Sequence, residues 1–331
     1  MIITELYEGQ GLGNQLWVYA ASRSIAEQLN VPFILLGAER FKGKDFLHIN
    51  SEVGISAAEA VDVAKSSRWS SFHEAFFYDR ELDYMSSGFD SRVLALSGMS
   101  KLDGLYQSEK YFFGDLERPK MYFDLDDVWK SKNRVEDDTC IINLRGGEYK
   151  RHKNLILPES YWNKAIENMK RMSDVRKFLV VTDDVRYARA MFPKFDVLEG
   201  GIEDCYASIY NAKYLILSNS SFAYFPVKTG GNSRLVIAPK YWARYANPCG
   251  RWASIANLYE SWLWQSPDGR LSTFEECLPE CAGTEAVYEA KYFVRTTPDI
   301  VQKPGIRQFV PKLLRSRIKR ALSLILPRYF G

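Results

Sequence analysis

The sequence predicts an α/β fold with two Rossmann-like halves, on the basis of two β-α patterns and a polar span between them. In the second half, five short apolar segments alternate with helical patterns, which is typical of a doubly wound parallel sheet. The predicted strands are Cys140–Leu144, Phe178–Thr182, Phe195–Leu198, Tyr214–Leu217 and Arg234–Ala238. The first half opens in the same way, with a strand at Met1–Glu8, a glycine-rich turn, a helix at Asn14–Leu29 and a strand at Pro32–Leu36.

Helices are predicted between the strands of the second half, at Pro158–Arg171, Val185–Met191, Glu203–Ala212 and a segment that ends near Thr229. A hydrophilic span at Asp124–Asp138 separates the two halves. We therefore expect an N-terminal Rossmann-like domain at 1–130, a C-terminal Rossmann-like domain at 131–300 and a tail at 301–331. Residues 40–100 are expected to be irregular apart from a helix at Ser56–Ser66, and residues 241–264 to be mostly helical.

The composition is that of an ordinary globular protein, with 46% hydrophobic and 26% charged residues in a chain of 331. A net charge of +3 is too small to indicate a nucleic-acid partner. The five cysteines form no Cys-x-x-Cys pair and there are only three histidines, so neither a disulfide framework nor a zinc site is expected. The N-terminus lacks a signal-peptide pattern, and no apolar run reaches the roughly 18 residues that span a bilayer, so we expect a cytoplasmic protein.

Polar side chains follow the predicted strands of the second half. Arg145 and two glycines follow the first strand, Asp183 follows the second, and Ser218–Ser221 follows the fourth. Since ligands of open α/β sheets bind beyond the carboxyl ends of the strands, we expect these groups to converge at one rim. An arginine beside glycines suits an anion such as a diphosphate. Other interpretations remain open: Arg145 and Glu148 form a surface ion pair, or the aspartates and serines cap the helices that follow.

The glycine-rich turn before the first helix has two possible roles. Its amides could face an anion at the helix N-terminus, and the run from Gly9 superficially matches the dinucleotide-binding pattern G-x-G-x-x-G, with Asn14 in place of the third glycine. Glu39 also follows the second strand, where a ribose-binding acid would lie. A dinucleotide-dependent oxidoreductase is therefore one alternative function, and a non-catalytic module that binds sugars or lipid surfaces is another.

Three stretches, taken together, resemble the inverting α-1,2-fucosyltransferases of glycosyltransferase family 11. They are Gly11-Leu12-Gly13-Asn14-Gln15-Leu16, Tyr106-Gln107-Ser108-Glu109-Lys110-Tyr111-Phe112 and Ser218-Asn219-Ser220-Ser221-Phe222, which are similar to G-L-G-N-Q-M, Q-S-E-K-Y-F and S-N-S-S-F in that family. The core motif of the family, H-x-R-R-x-D-Y, matches residues 143–149 at Arg145 and Tyr149. Asn143, Gly146 and Glu148 replace the histidine, the second arginine and the aspartate of that motif.

The resemblance implies a GT-B type fold of two facing Rossmann-like domains, with the acceptor mainly on the N-terminal domain and the nucleotide sugar on the C-terminal one. It implies transfer of L-fucose from GDP-fucose to a galactose-like hydroxyl with inversion, which forms the α-1,2 linkage of an O-antigen or another surface polysaccharide. A related transferase that uses another nucleotide (deoxy)sugar is the close alternative. No cofactor or metal is expected, because no Asp-x-Asp lies at a strand end of the second sheet and an arginine can replace the cation at a diphosphate.

The strand-end pattern and the resemblance together give the candidate site residues. The catalytic candidates are Arg145, which would bind the leaving diphosphate, and Glu148, which would accept the proton of the acceptor hydroxyl, with His152 as the alternative base. The expected donor-binding residues are Asn143, Arg145, Asp183, Ser218, Asn219, Ser220 and Ser221. The expected cleft and acceptor residues are Gly11, Gly13, Asn14, Gln15 and Gln107.

The tail is strongly basic, with seven basic and no acidic residues in 306–331: Arg307, Lys312, Arg315, Arg317, Lys319, Arg320 and Arg328. Apolar residues recur at helical spacing between them, namely Val310, Leu313, Leu314, Ile318, Ala321, Leu322 and Ile325. This pattern predicts a basic amphipathic helix on the inner face of the cell membrane, which would suit a lipid-linked glycan acceptor. A helix docked on the protein and a disordered basic tail are the alternatives.

Truncation after Gly305 should therefore release the protein from anionic liposomes and preserve transfer to a soluble acceptor. A basic residue near an anionic surface contributes about 1 kcal/mol, so the basic residues of the tail suffice for peripheral attachment. Co-sedimentation of the full-length and truncated proteins with anionic and with neutral vesicles measures the effect. Equal binding of both forms to anionic vesicles would discard the membrane hypothesis.

Overall fold

The computed structural model of the chain describes residues 1–49, 52–53, 69–82, 84–291 and 293–294. The helix expected at Ser56–Ser66 and the basic tail at 301–331 therefore lie outside the described residues. These described residues all belong to one compact unit.

Two groups of strands and helices follow one another along the chain. The first group is β1 (Ile2–Glu5), α1 (Leu12–Gln28), β2 (Phe33–Leu36), β3 (Leu47–Ile49), β4 (Glu52–Val53), β5 (Ser70–His73), β6 (Phe76–Asp79), β7 (Tyr84–Ser87), β8 (Ser100–Asp103), α2 (Arg118–Tyr122), β9 (Phe123–Leu125) and α3 (Asp127–Lys132). The second group is β10 (Thr139–Leu144), α4 (Glu159–Met172), β11 (Lys177–Thr182), α5 (Val185–Met191), β12 (Asp196–Val197), α6 (Ile202–Asn211), β13 (Tyr214–Leu217), α7 (Tyr224–Gly230), β14 (Leu235–Pro239), β15 (Leu263–Gln265), β16 (Leu271–Ser272), α8 (Phe274–Lys291) and β17 (Phe293–Val294).

The N-terminal sheet has the strand order β4-β2-β1-β8-β5. Strands β2, β1, β8 and β5 are parallel, and β4 is an antiparallel edge strand. Helix α1 covers one face, where Ile2 and Leu6 join the main hydrophobic core, whereas Ile3 and Ile34 belong to a smaller cluster on the other face. Strands β6 and β7 form an antiparallel hairpin that β17 extends, and β3 pairs with β9.

The C-terminal sheet has the strand order β12-β11-β10-β13-β14-β15-β16 and is parallel except at β16. All six residues of β10 are buried, because alternate side chains enter two different cores. Ile141 packs in the main core, and Cys140 and Ile142 pack in the core beneath α4. Burial on both faces is typical of a doubly wound parallel sheet, so the predicted α/β fold with two Rossmann-like sheets is confirmed.

Two expectations about the connecting segments are wrong. Residues 40–100 are not irregular, since they contain the five strands β3 to β7. Residues 241–264 are not mostly helical: they form two 3₁₀ turns, at Trp242–Arg244 and Ile255–Asn257, and then enter β15. Tyr241 and Trp242 have positive φ angles of 68° and 54°, which interrupt any regular helix at its start.

The two sheets share one core. Trp17 of α1 packs against Tyr224 and Phe225 of α7, with ring centroids 4.2 and 5.1 Å apart. It also stacks on Phe112 at 5.7 Å. Aromatic rings of this size bury 150–250 Å² each, so these contacts contribute much of the cohesion between the N-terminal and C-terminal sheets.

A buried carboxyl group, that of Glu74, holds the segment after β8. Its Oε2 accepts the backbone N–H groups of Leu105 (2.8 Å) and Tyr106 (2.9 Å), and its Oε1 accepts the hydroxyl of Tyr111 (2.8 Å). These bonds hold Tyr106 at a φ of 51°, a left-handed conformation that is unfavourable for a bulky side chain. Burial raises the pKa of Glu74 to about 7, although the hydrogen bonds favour the charged form.

Replacing Glu74 by glutamine should make stability less dependent on pH. In the wild type, the unfolded carboxyl group loses its proton near pH 4.5 and the folded one near pH 7, so the free energy of unfolding falls as pH rises through this window. Glutamine stays neutral, so Glu74→Gln should gain stability relative to wild type between pH 4.5 and 7. Urea denaturation across this range measures the gain, with Glu39→Gln on the surface as control. If the difference in free energy of unfolding between Glu74→Gln and wild type stays constant or falls as pH rises, the raised pKa assigned to Glu74 is wrong.

Candidate functional site

The centre of the candidate site is Arg145, which follows β10 at the carboxyl edge of the C-terminal sheet. Its Nη1 lies 2.9 Å from Oδ2 of Asp183, the first residue after β11, and its Nη2 lies 3.5 Å from Oε1 of Glu148. The guanidinium also lies over the ring of Tyr149, 5.4 Å from the centroid. The Arg145 side chain is 29% exposed, so it is oriented by these neighbours and remains reachable from solvent.

The two residues after Arg145 must be glycines, because the segment that follows β11 packs directly against them. A Cβ at Gly147, which has a φ of 25°, would lie 2.2 Å from Oδ2 of Asp183. A Cβ at Gly146 would lie 2.8 Å from the ring of Tyr187 and 2.9 Å from Cβ of Asp184. The Gly146 amide donates to Oδ1 of Asp183 at 2.8 Å, so the aspartate fixes the arginine loop through both its oxygens.

A second cation at this rim comes from Lys150, in the 3₁₀ turn Gly147–Arg151. Its Nζ pairs with Oδ2 of Asp184 and lies 5.8 Å from the Tyr187 ring centroid. This pairing with Lys150 lowers the pKa of Asp184. Asp184 also caps α5, because its Oδ1 accepts the Tyr187 N–H at 3.0 Å. The two aspartates therefore have different roles: Asp184 caps α5, and Asp183 pairs with Arg145.

The serine-rich turn after β13 lies beside the same loop. The hydroxyl of Ser218 donates to Oδ1 of Asn143 at 3.2 Å, so these two buried side chains satisfy each other. Ser220 caps the following 3₁₀ turn through the Phe222 N–H. The hydroxyl of Tyr149 donates to the carbonyl of Asn219 at 3.3 Å, which joins this turn to the arginine loop. Burial raises the pKa of Tyr149, and the nearby Arg145 opposes the shift.

Asn14 connects the two sheets at their facing edges. Its Oδ1 accepts a hydrogen bond from Nε2 of Gln107 at 2.8 Å and another from the hydroxyl of Ser221 at 3.0 Å. The three stretches that carried the family resemblance therefore meet at one side chain. Gly13 makes this approach possible, since a Cβ there would lie 2.7 Å from the backbone of Ser221 and of Phe222.

The remaining predicted cleft residues are placed differently. The Gln15 amide is 1% exposed and is used within the N-terminal half, where it donates to the Arg40 carbonyl and accepts the Lys42 N–H, both at 2.9 Å. A Cβ at Gly11 would meet no atom within 4 Å, so the space there is open. Glu39 pairs with the neighbouring Arg40. The backbone of Ser221 and Phe222 covers the turn at Gly13, whereas the turn is open at Gly11.

Sequence reasoning missed Glu109 as a link between the halves. Its Oε1 accepts the Tyr224 hydroxyl at 2.9 Å and lies 2.8 Å from Nζ of Lys228, and its Oε2 accepts the Glu260 N–H at 3.1 Å. All three partners belong to the C-terminal half. The signal was present in the Q-S-E-K-Y-F segment, but its partners lie more than a hundred residues away.

Some polar atoms of the rim have no hydrogen-bond partner among the described residues. They are Nε of Arg145 and both Oδ1 and Nδ2 of Asn219, a side chain that is 1% exposed. Several indole nitrogens of the described core are also unpaired, so this feature supports a polar ligand only in combination with the charge at the rim.

Two kinds of feature are absent from the described part of the chain. There, no group of three or more His, Cys, Asp and Glu side chains is arranged to hold a metal ion. Within the same residues, no helix is long and apolar enough to cross a bilayer. The expected independence from metal and the expected membrane surface contact stay predictions.

Two Rossmann-like sheets whose carboxyl edges meet at Asn14 define the class as a GT-B type α/β fold. No protein-family model and no curated protein sequence match this chain. A mutant of FUT1 from Arabidopsis thaliana in complex with GDP has a TM-score of 0.43 and 10% identity, covering 72% of this chain and 69% of that chain.

Two further solved structures show a similar likeness. POFUT1 in complex with GDP has a TM-score of 0.43 and 9% identity, covering 72% of this chain and 97% of that chain. The NodZ α-1,6-fucosyltransferase soaked with GDP-fucose has a TM-score of 0.41 and 11% identity, with coverages of 69% and 91%. At these values the likeness assigns neither donor nor acceptor to this chain.

Gly13→Ala should destabilise the contact between the halves, whereas Gly11→Ala should not. The added methyl at 13 would meet backbone atoms that cannot move independently, and overpacking of this kind costs about 1–3 kcal/mol. At Gly11 the space is open and the φ of −68° suits alanine, so the cost should stay below about 1 kcal/mol. Thermal unfolding of both variants compares them. Equal melting temperatures would show that the close approach at Gly13 is not maintained in solution.

Proposed function

We propose that this chain is an inverting glycosyltransferase that transfers L-fucose from GDP-fucose to a galactose-like hydroxyl and forms an α-1,2 linkage. The observation that supports it most is the position of Arg145. It is a reachable guanidinium at the carboxyl end of β10, an inner strand of the C-terminal sheet that is buried on both faces. Ligands of parallel α/β sheets bind at such edges, and a guanidinium matches the oxygens of a diphosphate in geometry and charge.

The donor would lie across the rim of the C-terminal sheet. Arg145 would bind the diphosphate and stabilise the negative charge that grows on it as the bond to the sugar breaks. Its present partner Asp183 competes for the same guanidinium, so the donor must share or replace that contact. The side chains of Ser218, Asn219, Ser220 and Ser221 would supply hydrogen bonds around the nucleotide. Lys150 would be a second positive group at the same edge.

One observation supports the second candidate, a related transferase that uses another nucleotide (deoxy)sugar. The resembling family has a second arginine where this chain has Gly146, and Tyr187 and Asp184 occupy the space that a side chain at 146 would need. The diphosphate contacts of this chain therefore differ from those that the resemblance implies. Identification of a co-purified or added nucleotide separates the candidates: a guanosine diphosphate sugar, another nucleotide sugar, or a dinucleotide.

The biological setting is part of the same proposal. The basic tail would attach the enzyme peripherally to the inner face of the cell membrane, and the acceptor would be a free or lipid-linked glycan that is destined for a surface polysaccharide. The support comes from the charge pattern of 306–331.

Arg145→Ala should lower the transfer rate by about 10²–10³-fold, the usual effect of removing one preorganised stabilising group, and should weaken GDP binding. Arg145→Lys should recover only part of the activity, since a point charge cannot reproduce the planar fork of the guanidinium. The measurements are transfer from GDP-fucose and calorimetric titration with GDP.

The matched control for this experiment is Arg189→Ala, which removes an exposed arginine of the same half that pairs with Glu199. It should behave as wild type in both measurements. If Arg145→Ala stays within about threefold of the control in GDP affinity and in turnover, far below the expected loss, then this rim is not the donor site.

A further inference from the structure

A histidine and an aspartate lie side by side at the carboxyl edge of the N-terminal sheet. His73 is the last residue of β5 and Asp103 the last residue of β8, and the parallel register pairs these two positions. Nδ1 of His73 lies 3.1 Å from Oδ2 of Asp103, and the histidine side chain is 27% exposed. An aspartate at Nδ1 fixes the orientation of the ring and leaves Nε2 as the atom that can accept a proton.

The carboxyl edge that carries this pair is linked to the turn after β13 of the C-terminal sheet. Gln107, four residues after Asp103, donates to Asn14, which in turn accepts from Ser221 of the C-terminal half. Four extended residues span at most about 14 Å, so Asp103 lies within that distance of the junction between the halves.

The chain after His73 also reaches the donor half. The hairpin of β6 and β7 begins three residues later, and the carbonyl of Leu82 accepts Nδ2 of Asn154, which belongs to the loop after Arg145. Both members of the pair are therefore followed by segments that contact the C-terminal half.

The surroundings of the pair suit a sugar. Tyr7 follows β1, is 42% exposed, and its ring lies 5.4 Å from Nζ of Lys101. Lys101 also pairs with Glu5 at 2.5 Å. The charges of Lys101, Glu5 and Asp103 all act on the Tyr7 hydroxyl, which places them in one cluster. An exposed aromatic face beside charged hydrogen-bonding groups can hold the apolar and polar faces of a saccharide.

We propose that His73 is the base that takes the proton from the attacking acceptor hydroxyl, with Asp103 as its positioning residue and Tyr7 in the acceptor subsite. The inference rests on the proposed function. As the acceptor oxygen forms a bond to C1 of the donor sugar, the bond between C1 and the diphosphate oxygen breaks and its electron pair leaves with GDP. The hydroxyl proton passes to Nε2 of His73, and the anomeric configuration inverts.

The other candidate bases are placed less well for this role. Glu148 is 71% exposed and pairs with Arg145, so it lies on the donor side, beside the group that must stay positive. His152 is exposed, and its backbone N–H closes the turn onto the Tyr149 carbonyl. His48 has a partner too, with Nε2 at 3.4 Å from Oδ2 of Asp126, but it is 71% exposed and lies on β3, outside both parallel sheets.

The three histidines of the chain therefore provide a matched set of variants. Transfer from GDP-fucose to lactose and to N-acetyllactosamine is measured for wild type, His73→Gln, His152→Gln, Glu148→Gln and, as control, His48→Gln. His73→Gln should lose about 10²–10⁴-fold in kcat, the range for removal of a general base, with GDP affinity within about threefold of wild type. The control His48→Gln should keep wild-type kcat within about threefold, and Glu148→Gln and His152→Gln should each lose less kcat than His73→Gln.

Two further variants separate proton transfer from a structural role. In His73→Ala, added imidazole should restore part of the lost transfer, because it can occupy the space of the side chain and accept the proton. Asp103→Asn should lower kcat and leave GDP affinity unchanged, and Asp103→Glu should recover part of the activity.

Each outcome has one meaning. If the wild type transfers fucose to neither saccharide, the proposed function fails and the inference fails with it. If the wild type transfers fucose and His73→Gln matches His48→Gln, the function stands and His73 is not the base. The inference is also overturned if added imidazole does not restore transfer in His73→Ala. It is overturned likewise if the loss of kcat in His73→Gln comes with weaker GDP binding. A base-type loss in Glu148→Gln assigns the proton to Glu148 instead.

Discussion

The arrangement of the two sheets depends on one acceptor atom, Oδ1 of Asn14. It accepts one hydrogen bond from the segment after β8 and one from the turn after β13, so it holds the two carboxyl edges at a fixed distance from each other. The bonds form because Gly13 lets the start of α1 come into backbone contact with Ser221 and Phe222. Around this junction, the aromatic core of Trp17 and the bonds of Glu109 hold the same two surfaces together. A few short contacts thereby fix the spacing between the two carboxyl edges.

The cations at the carboxyl edge of the C-terminal sheet are already paired with acids. Arg145 pairs with Asp183 and Lys150 pairs with Asp184, so each cation has an adjacent acid from the loop after β11. A diphosphate would exchange these partners instead of filling an uncompensated positive pocket, which reduces the attraction that a bare arginine would exert. The benefit is orientation, since the guanidinium is held between Asp183 and the Tyr149 ring and loses little conformational freedom on binding.

The sequence predicted the C-terminal sheet well because its strands are buried on both faces and read as continuous apolar runs, as β10 does. It also indicated that Arg145, Asp183 and the serine turn would meet, because parallel strands bring their ends to one edge. It did not reveal β5, whose residues Ser70 to His73 have no apolar run, and so it did not reveal the pairing of His73 with Asp103. The tertiary contacts at Gly13 and Glu109 depend on partners distant in sequence, and local patterns carry no information about them.

The contact between Gly146 and Tyr187 limits how this loop can change over generations. Any side chain at 146 must displace an aromatic ring from the first turn of α5, and that ring lies beside the Lys150–Asp184 pair. A single substitution that adds an arginine at 146 therefore begins with a steric penalty, whatever it contributes to phosphate binding. A smaller residue at 187 would relieve only part of this clash, because the added Cβ would also lie 2.9 Å from Cβ of Asp184. Positions 146, 184 and 187 are therefore sterically coupled, and the side chain at one of them limits what the other two can carry.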